Sequence, residues 1–152
     1  MAYDDDVRRL VRAWKERGLR RLAAEAAEVV VGVVPSPSCG AVAFVPPDRG
    51  RNLERGHHPA ERLARELGER WSLPVLTLIR RTRSVPRQRG LALALRRRNV
   101  AGAFGPASEA PRAVVLVDDV YTSGATAASA ASALRKGGAR RVEVVTFARV
   151  VR

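Results

Sequence analysis

Residues 114–126 read Val-Val-Leu-Val-Asp-Asp-Val-Tyr-Thr-Ser-Gly-Ala-Thr. Four apolar residues predict a buried strand, two adjacent carboxylates stand at its carboxyl end, and a short loop of hydroxyls and small residues leads into a helix. The start of a helix carries unpaired N–H groups and a partial positive charge, which together hold a phosphate. Gly124 and Ala125 let the backbone approach a ligand closely, and Thr122, Ser123 and Thr126 can each donate a hydroxyl hydrogen bond to phosphate oxygens. Asp118 and Asp119 repel a phosphate. They suit the hydroxyl groups of a sugar, or a cation such as Mg²⁺ held partly through water. A phosphate cradle beside a holder of sugar hydroxyls describes a ribose 5-phosphate. A plain turn with Thr126 as helix cap explains less, because capping does not call for two carboxylates directly behind four core residues. Other phosphate motifs are absent: there is no G-x-x-x-x-G-K-[ST], no lysine near Gly124 and no G-x-G-x-x-G after a strand.

The surrounding pattern must position this stretch. Val7, Leu10, Val11 and Trp14 recur at helical spacing and predict an amphipathic helix over 5–16. Gly18 breaks it, and Leu22, Ala23, Ala26, Val29 and Val30 continue a second helical stripe that ends by the Pro35–Ser38 run. Ala41 to Val45 reads as a strand buried on both faces, followed by a loop at Pro46–Gly50. Pro59 suits the first turn of a helix whose buried face is Ala60, Leu63, Ala64 and Leu67, running to about Trp71. Pro74 to Ile79 is expected to be another strand, Val114 to Val117 a third, and Val142 to Ala148 the last. A helix over Thr126–Lys136 closes at Gly137-Gly138. Trp14 and Trp71 read as core. Alternating strands and helices imply crossover connections and an α/β fold with a mainly parallel central sheet flanked by helices. Ligands then sit beyond the carboxyl ends of the strands, in the loops after Val45, Ile79 and Val117.

With 152 residues, one domain spanning 1–152 is expected, its first 34 residues a helical N-terminal segment. The 46% apolar and 28% charged residues exclude a disordered or collagen-like chain. No apolar run approaches the roughly 18 residues of a membrane span. The acidic start Asp4-Asp5-Asp6 has no apolar core and is no secretory signal. A single cysteine, Cys39, excludes an internal disulfide framework, so a cytoplasmic protein is expected. The net charge of +13 attracts phosphates, whether of nucleic acid, nucleotide or pyrophosphate. Lys15 and Lys136 are the only lysines, so the surplus is carried by arginine. A GC-rich genome accounts for the choice of arginine better than it accounts for its clustering.

The 114–126 stretch resembles the phosphoribosyl pyrophosphate (PRPP) motif of type I phosphoribosyltransferases, with four apolar residues, two acidic ones and a T-x-G-x-T ending. Two further stretches resemble one branch, the ComF family of competence-associated phosphoribosyltransferase-like proteins. Arg55-Gly56-His57-His58-Pro59-Ala60-Glu61 is similar to that family's R-G-F-N-Q-A-E, altered at three central positions. Gln88, Leu91, Arg96, Asn99 and Phe104 match its Q-x2-L-x4-R-x2-N-x4-F spacing, and Tyr3 with Lys15-Glu16-Arg17-Gly18 is similar to its opening segment. A four-cysteine zinc module opens many members and is not found here, as expected of a short form or a truncated start; zinc is not implied.

The resemblance implies transfer of ribose 5-phosphate from PRPP to a nitrogenous base with release of pyrophosphate. Asp118 and Asp119 would hold the ribose hydroxyls and, through them, Mg²⁺. Tyr121, Thr122, Ser123, Gly124, Ala125 and Thr126 would hold the 5-phosphate. The loop from Pro46, with Pro47, Asp48 and Arg49, would meet the pyrophosphate together with Arg55. A flexible arginine-rich loop over Arg80–Arg98 would close over it, bringing Arg80, Arg81, Gln88, Arg96 and Asn99. Between Leu73 and Ser108 stand eight arginines and no acidic residue, and arginine donates paired hydrogen bonds to phosphate oxygens. His57 and His58 fit a helix-capping loop or a proton shuttle near the sugar. Two functions stay open: a Mg²⁺-dependent phosphoribosyltransferase of unknown acceptor base, and a non-catalytic PRPP- or nucleotide-binding protein of DNA uptake that binds single-stranded DNA. The 5% aromatic content offers few base-stacking platforms for the second. A homodimer is compatible with either.

Overall fold

Ala41–Phe44 form a strand, β1, in which all four side chains are buried. Such a strand needs cover on both faces, and the fold supplies it. The computed structural model describes residues 21–47, 58–82 and 102–150, together with Val7, Arg9 and Trp14. In chain order the described elements are α1 (Arg21–Val31), β1, α2 (Pro59–Trp71), β2 (Ile79–Arg81), β3 (Phe104–Pro106), β4 (Ala113–Tyr121), α3 (Ala125–Lys136) and β5 (Arg141–Arg149). The central sheet has the order β1-β4-β5 with both pairings parallel. Parallel neighbours require crossovers, and α3 is the crossover from β4 to β5.

One face of the sheet, through Val42, Phe44, Val115, Val117 and Phe147, packs on Ala23, Ala26, Ala27 and Val30 of α1 and on Leu63, Ala64, Leu67 and Trp71 of α2. The other face, through Ala43, Val114 and Leu116, packs on Ala130, Ala133 and Leu134 of α3 and on Ile79 and Phe104 of β2 and β3. Val7, Arg9 and Trp14 are helical, as the periodicity over 5–16 predicts, and Val7 and Trp14 are buried. The Trp14 ring meets Phe147 edge-on, with centroids 6.1 Å apart.

Helix boundaries follow local chemistry. Pro59 opens α2, where its missing N–H costs nothing. At the other end Ser72 turns left-handed at φ 54° and Leu73 N–H closes on Gly68 C=O at 2.9 Å. Arg70 ties α2 to α1, donating to Glu28 at 2.8 Å and to Glu66 of its own helix at 2.7 Å. Those two carboxylates, Glu66 foremost, hold the Arg70 pKa above its ordinary value.

The Pro74–Ile79 expectation needs correction. Only Val75 bridges β1, at Val42, with hydrogen bonds from Val42 N–H to Pro74 C=O and from Leu76 N–H to Val42 C=O. The chain then leaves the central sheet, and β2 begins at Ile79, pairing antiparallel with β3 in a separate two-stranded sheet. Leu76 is exposed and Leu78 and Ile79 are buried in succession, so the apolar run serves two different contacts. Arg80 and Arg81 are therefore strand residues, not the start of a loop. β3 is three residues long and contains Gly105-Pro106, too short and too turn-like to be read from sequence.

Close approach of Gly68 to the 73–75 segment makes a first prediction. A Cβ at Gly68 would overlap Val75 Cγ2 and stand 2.9 Å from the Leu73 carbonyl, a backbone atom that cannot rotate away. Gly68→Ala gains about 1 kcal/mol of helix propensity and loses roughly 1–3 kcal/mol to overpacking. The expected net result is a melting temperature a few degrees lower by circular dichroism, at about 2–4 °C per kcal/mol.

Candidate functional site

β4 is longer than its apolar core predicts. It continues through Asp118 and Asp119 to Tyr121, so the two carboxylates lie within the strand and Tyr121 is its last residue rather than part of the loop. The strand is irregular at the carboxylates. Val115 and Val117 face the α1–α2 side, and Val120, three residues after Val117, packs against that same cluster. A regular strand alternates with period two, so the alternation breaks at Asp118-Asp119. The pairing with β5 runs from Asp118–Thr146 to Val120–Ala148 and skips the rung between. The Asp119 N–H donates instead to Asp118 Oδ1 at 2.9 Å. Both carboxylates are half-buried.

Thr122, Ser123 and Gly124 make the turn into α3. Gly124 is the residue before the helix, left-handed at φ 73°, with no side chain capping the helix. Thr126 is thus inside the helix, which begins one residue earlier than its sequence suggests, at Ala125. The first helical bond runs from Ala128 N–H to Gly124 C=O at 2.8 Å, so the N–H groups before it lie outside the ladder. Ala125 N–H has a long contact of 3.5 Å to Ser123 Oγ. Among the described residues, the N–H groups of Gly124, Thr126 and Ala127 meet no acceptor. Three donors converge at the positive end of a twelve-residue helix, the electrostatic arrangement that holds a phosphate.

Tyr121 closes one side of this turn. Its ring lies so near Gly124 that Cζ is 2.8 Å from the place a Cβ would take. The Arg149 guanidinium stands 5.6 Å over the centre of the same ring, brought there by the Tyr121–Arg149 rung of the sheet. No motif pointed to Arg149; strand register is the signal that finds it. From the turn a cleft of about 440 Å³ runs along α3 to Lys136, past Tyr121 and Phe104.

Other expected site residues divide three ways. Pro47 is half-buried, and its carbonyl accepts from Arg81 Nε at 3.3 Å. That bond brings Arg81, whose guanidinium also lies 4.7 Å over the Phe104 ring, to the loop that leaves the carboxyl end of β1. Arg80 points elsewhere: it donates to the Pro106 carbonyl at 3.3 Å, and Pro106 sits beside Gly137 at the far end of α3 from the turn. Asp48, Arg49, Arg55, Gln88, Arg96 and Asn99 lie outside the described residues, as does His57. His58 stands just before α2 but makes no side-chain cap bond; its ring meets Phe44 edge-on at 5.9 Å.

No protein-family model matches the chain. Competence protein F of Haemophilus influenzae is 36% identical over 114 residues, 72% of this chain and 50% of that protein. DNA utilization protein YhgH of Escherichia coli K12 is 33% identical over 117 residues, 72% of this chain and 49% of that one. The chain thus spans about half the length of the curated relatives it matches. Among solved structures, an allosteric regulatory enzyme of purine biosynthesis superposes with a TM-score of 0.56 at 21% identity, over 84% of this chain and 26% of that chain. Glutamine PRPP amidotransferase of B. subtilis gives 0.55 at 22% identity, over 82% and 26%. The parallel sheet, the crossover helix and the acidic strand end followed by an open helix start define the fold of a type I phosphoribosyltransferase. Within that class the chain belongs to the ComF-type, phosphoribosyltransferase-like proteins, the family of competence protein F and YhgH. Among the described residues, no helix is long and apolar enough to cross a membrane.

Proposed function

We propose that the chain binds PRPP with Mg²⁺ and transfers its ribose 5-phosphate to a nitrogenous base, releasing pyrophosphate. The observation that carries this reading is the juxtaposition, at one end of β4, of half-buried Asp118 and Asp119 with the unpartnered helix amides after Gly124. The amides of the turn anchor the 5-phosphate and so fix the ribose. The carboxylates accept from the ribose hydroxyls. Their negative charge favours the positive charge that C1 acquires as pyrophosphate departs. Arg81, directed toward the loop after β1, would face the departing group. Catalysis is then mainly positioning and electrostatics.

Asp118 and Asp119 offer hard oxygen donors side by side, which fit a divalent cation carried in with PRPP and held through the ribose hydroxyls. When bound, Mg²⁺ neutralises charge growing on the pyrophosphate.

A second reading, PRPP binding without turnover in a DNA-handling step of competence, is favoured by the names of the relatives and by the net charge of +13. One measurement separates the two. Pyrophosphate release is followed with PRPP, Mg²⁺ and a panel of purine and pyrimidine bases. Turnover with any base is the expected result. PRPP binding with no release across the panel, together with salt-dependent DNA affinity lost on replacing Arg96, Arg97 and Arg98, establishes the second reading instead.

A further inference from the structure

The phosphate turn has no cation of its own. From Ala113 to Leu134 the chain carries two carboxylates and no basic residue. A helix start contributes the equivalent of about half a positive charge, whereas a phosphate monoester near neutral pH carries about −1.5 to −2. The amides of the turn therefore leave most of that charge unbalanced, and Asp118 and Asp119 stand close by in sequence. Lys136 cannot supply the balance. It ends α3, roughly 16 Å from the turn at 1.5 Å per residue, beyond the about 8 Å over which an exposed charge acts at physiological salt. Arg81 is tied to the Pro47 carbonyl and the Phe104 ring.

Among the described residues, the basic group that tertiary contacts bring to the turn comes from β5. Arg149 is paired with Tyr121 in parallel register, and such partners send their side chains to the same face of a sheet. One residue on, the Val150 N–H donates to the Tyr121 carbonyl at 2.9 Å and locks that register. The guanidinium then stands 5.6 Å over the ring centre, inside the about 6 Å of a cation–π contact. The hydroxyl end of the same ring lies against Gly124. One side chain thus meets the phosphate turn at its oxygen and a cation at its face. A cation over the ring draws density from the phenol and makes its O–H a stronger donor.

We propose that Arg149 is a positioning residue for the 5-phosphate: it holds the Tyr121 hydroxyl at the turn and supplies the positive charge that the turn lacks. The inference rests on the phosphate-binding reading of the turn. It also assigns a specificity. A fixed cation gains in proportion to the charge of its partner, so Arg149 favours a doubly charged group over a singly charged one of the same shape.

The test uses the full chain and calorimetric titration at pH 7.5 with ribose 5-phosphate and with ribose 5-sulfate, which has one charge fewer. Arg149→Gln is expected to weaken ribose 5-phosphate about three- to tenfold and ribose 5-sulfate only about two- to threefold, in proportion to ligand charge. Arg149→Lys is expected to restore the preference for phosphate over sulfate. In a Tyr121→Phe background, which lacks the positioned hydroxyl, Arg149→Gln should cost less than in the wild type. Arg149 is exposed, so the variants should melt within about 2 °C of the wild type. Equal weakening of both ligands by Arg149→Gln, no weakening of either, or failure of Arg149→Lys to restore the preference overturns the inference and leaves the phosphate reading standing. Absence of ribose 5-phosphate binding to the wild type overturns both.

Discussion

The double substitution Asp118→Asn with Asp119→Asn abolishes stabilisation of the protein by PRPP and Mg²⁺. A ligand at about a hundred times its Kd stabilises a fold by about 2.7 kcal/mol. At roughly 2–4 °C per kcal/mol for a chain of this size, the wild type should melt about 5–10 °C higher with PRPP. Each hydrogen bond to a charged group contributes about 1.5–3 kcal/mol, so loss of two removes the whole shift at that concentration. The substitution is nearly isosteric. An asparagine in place of Asp118 retains the Oδ1 that accepts from the N–H of the next residue. The apo variant should therefore keep a cooperative melting transition, and its circular dichroism spectrum separates lost binding from lost folding. A ligand-induced shift of wild-type size in the folded double variant would falsify the assignment of the carboxylates to the ribose.

Gly124→Ala should be the most damaging single change at the site. The position is left-handed at φ 73°, a conformation that costs a residue with a Cβ about 1–2 kcal/mol. The new methyl also overlaps the Tyr121 hydroxyl and stands 2.8 Å from Tyr121 Cζ. Overpacking of that kind adds roughly 1–3 kcal/mol. The expected sum, about 2–5 kcal/mol, lowers the melting temperature by roughly 5–20 °C. The displaced ring or turn also closes the donors of Gly124 and Thr126 to phosphate, so PRPP should no longer stabilise what remains folded. Tyr121→Ala in the same chain removes the overlap but not the backbone cost. The pair should then recover the packing component alone, a coupling of about 1–3 kcal/mol readable in a double-mutant cycle. Additive effects in that cycle would mean that the ring does not lie against the turn.

The two experiments probe one arrangement from opposite sides. The aspartates act through charge and hydrogen bonding with little packing, since both are half-buried. Gly124 acts through space alone. If PRPP binding survives one change and not the other, the sugar and phosphate halves of the site are separable; the geometry at the end of β4 predicts that both are required.

What local chemistry encodes could be read before any coordinates. Pro59 opens α2 and Gly138, at φ 111°, follows the end of α3, because proline and glycine restrict or release the backbone at their own positions. The four apolar residues before Asp118 imply a strand covered on both faces, and the hydroxyl- and glycine-rich turn after Tyr121 implies an anion site, because those properties belong to contiguous residues. Tertiary structure alone decided the rest. Val75 touches β1 while Ile79 leaves for a second sheet, although the two stand in one apolar run. The alternation of β4 breaks at the carboxylates, where β5 pairs with Asp118 and Val120 and skips the rung of Asp119. Arg149 reaches Tyr121 through strand register, and Arg80 and Arg81, neighbours in sequence, take different partners because a strand sends successive side chains to opposite faces. Periodicity records which residues seek cover; which partner provides it depends on contacts between segments far apart in the chain, and no local pattern carries that information.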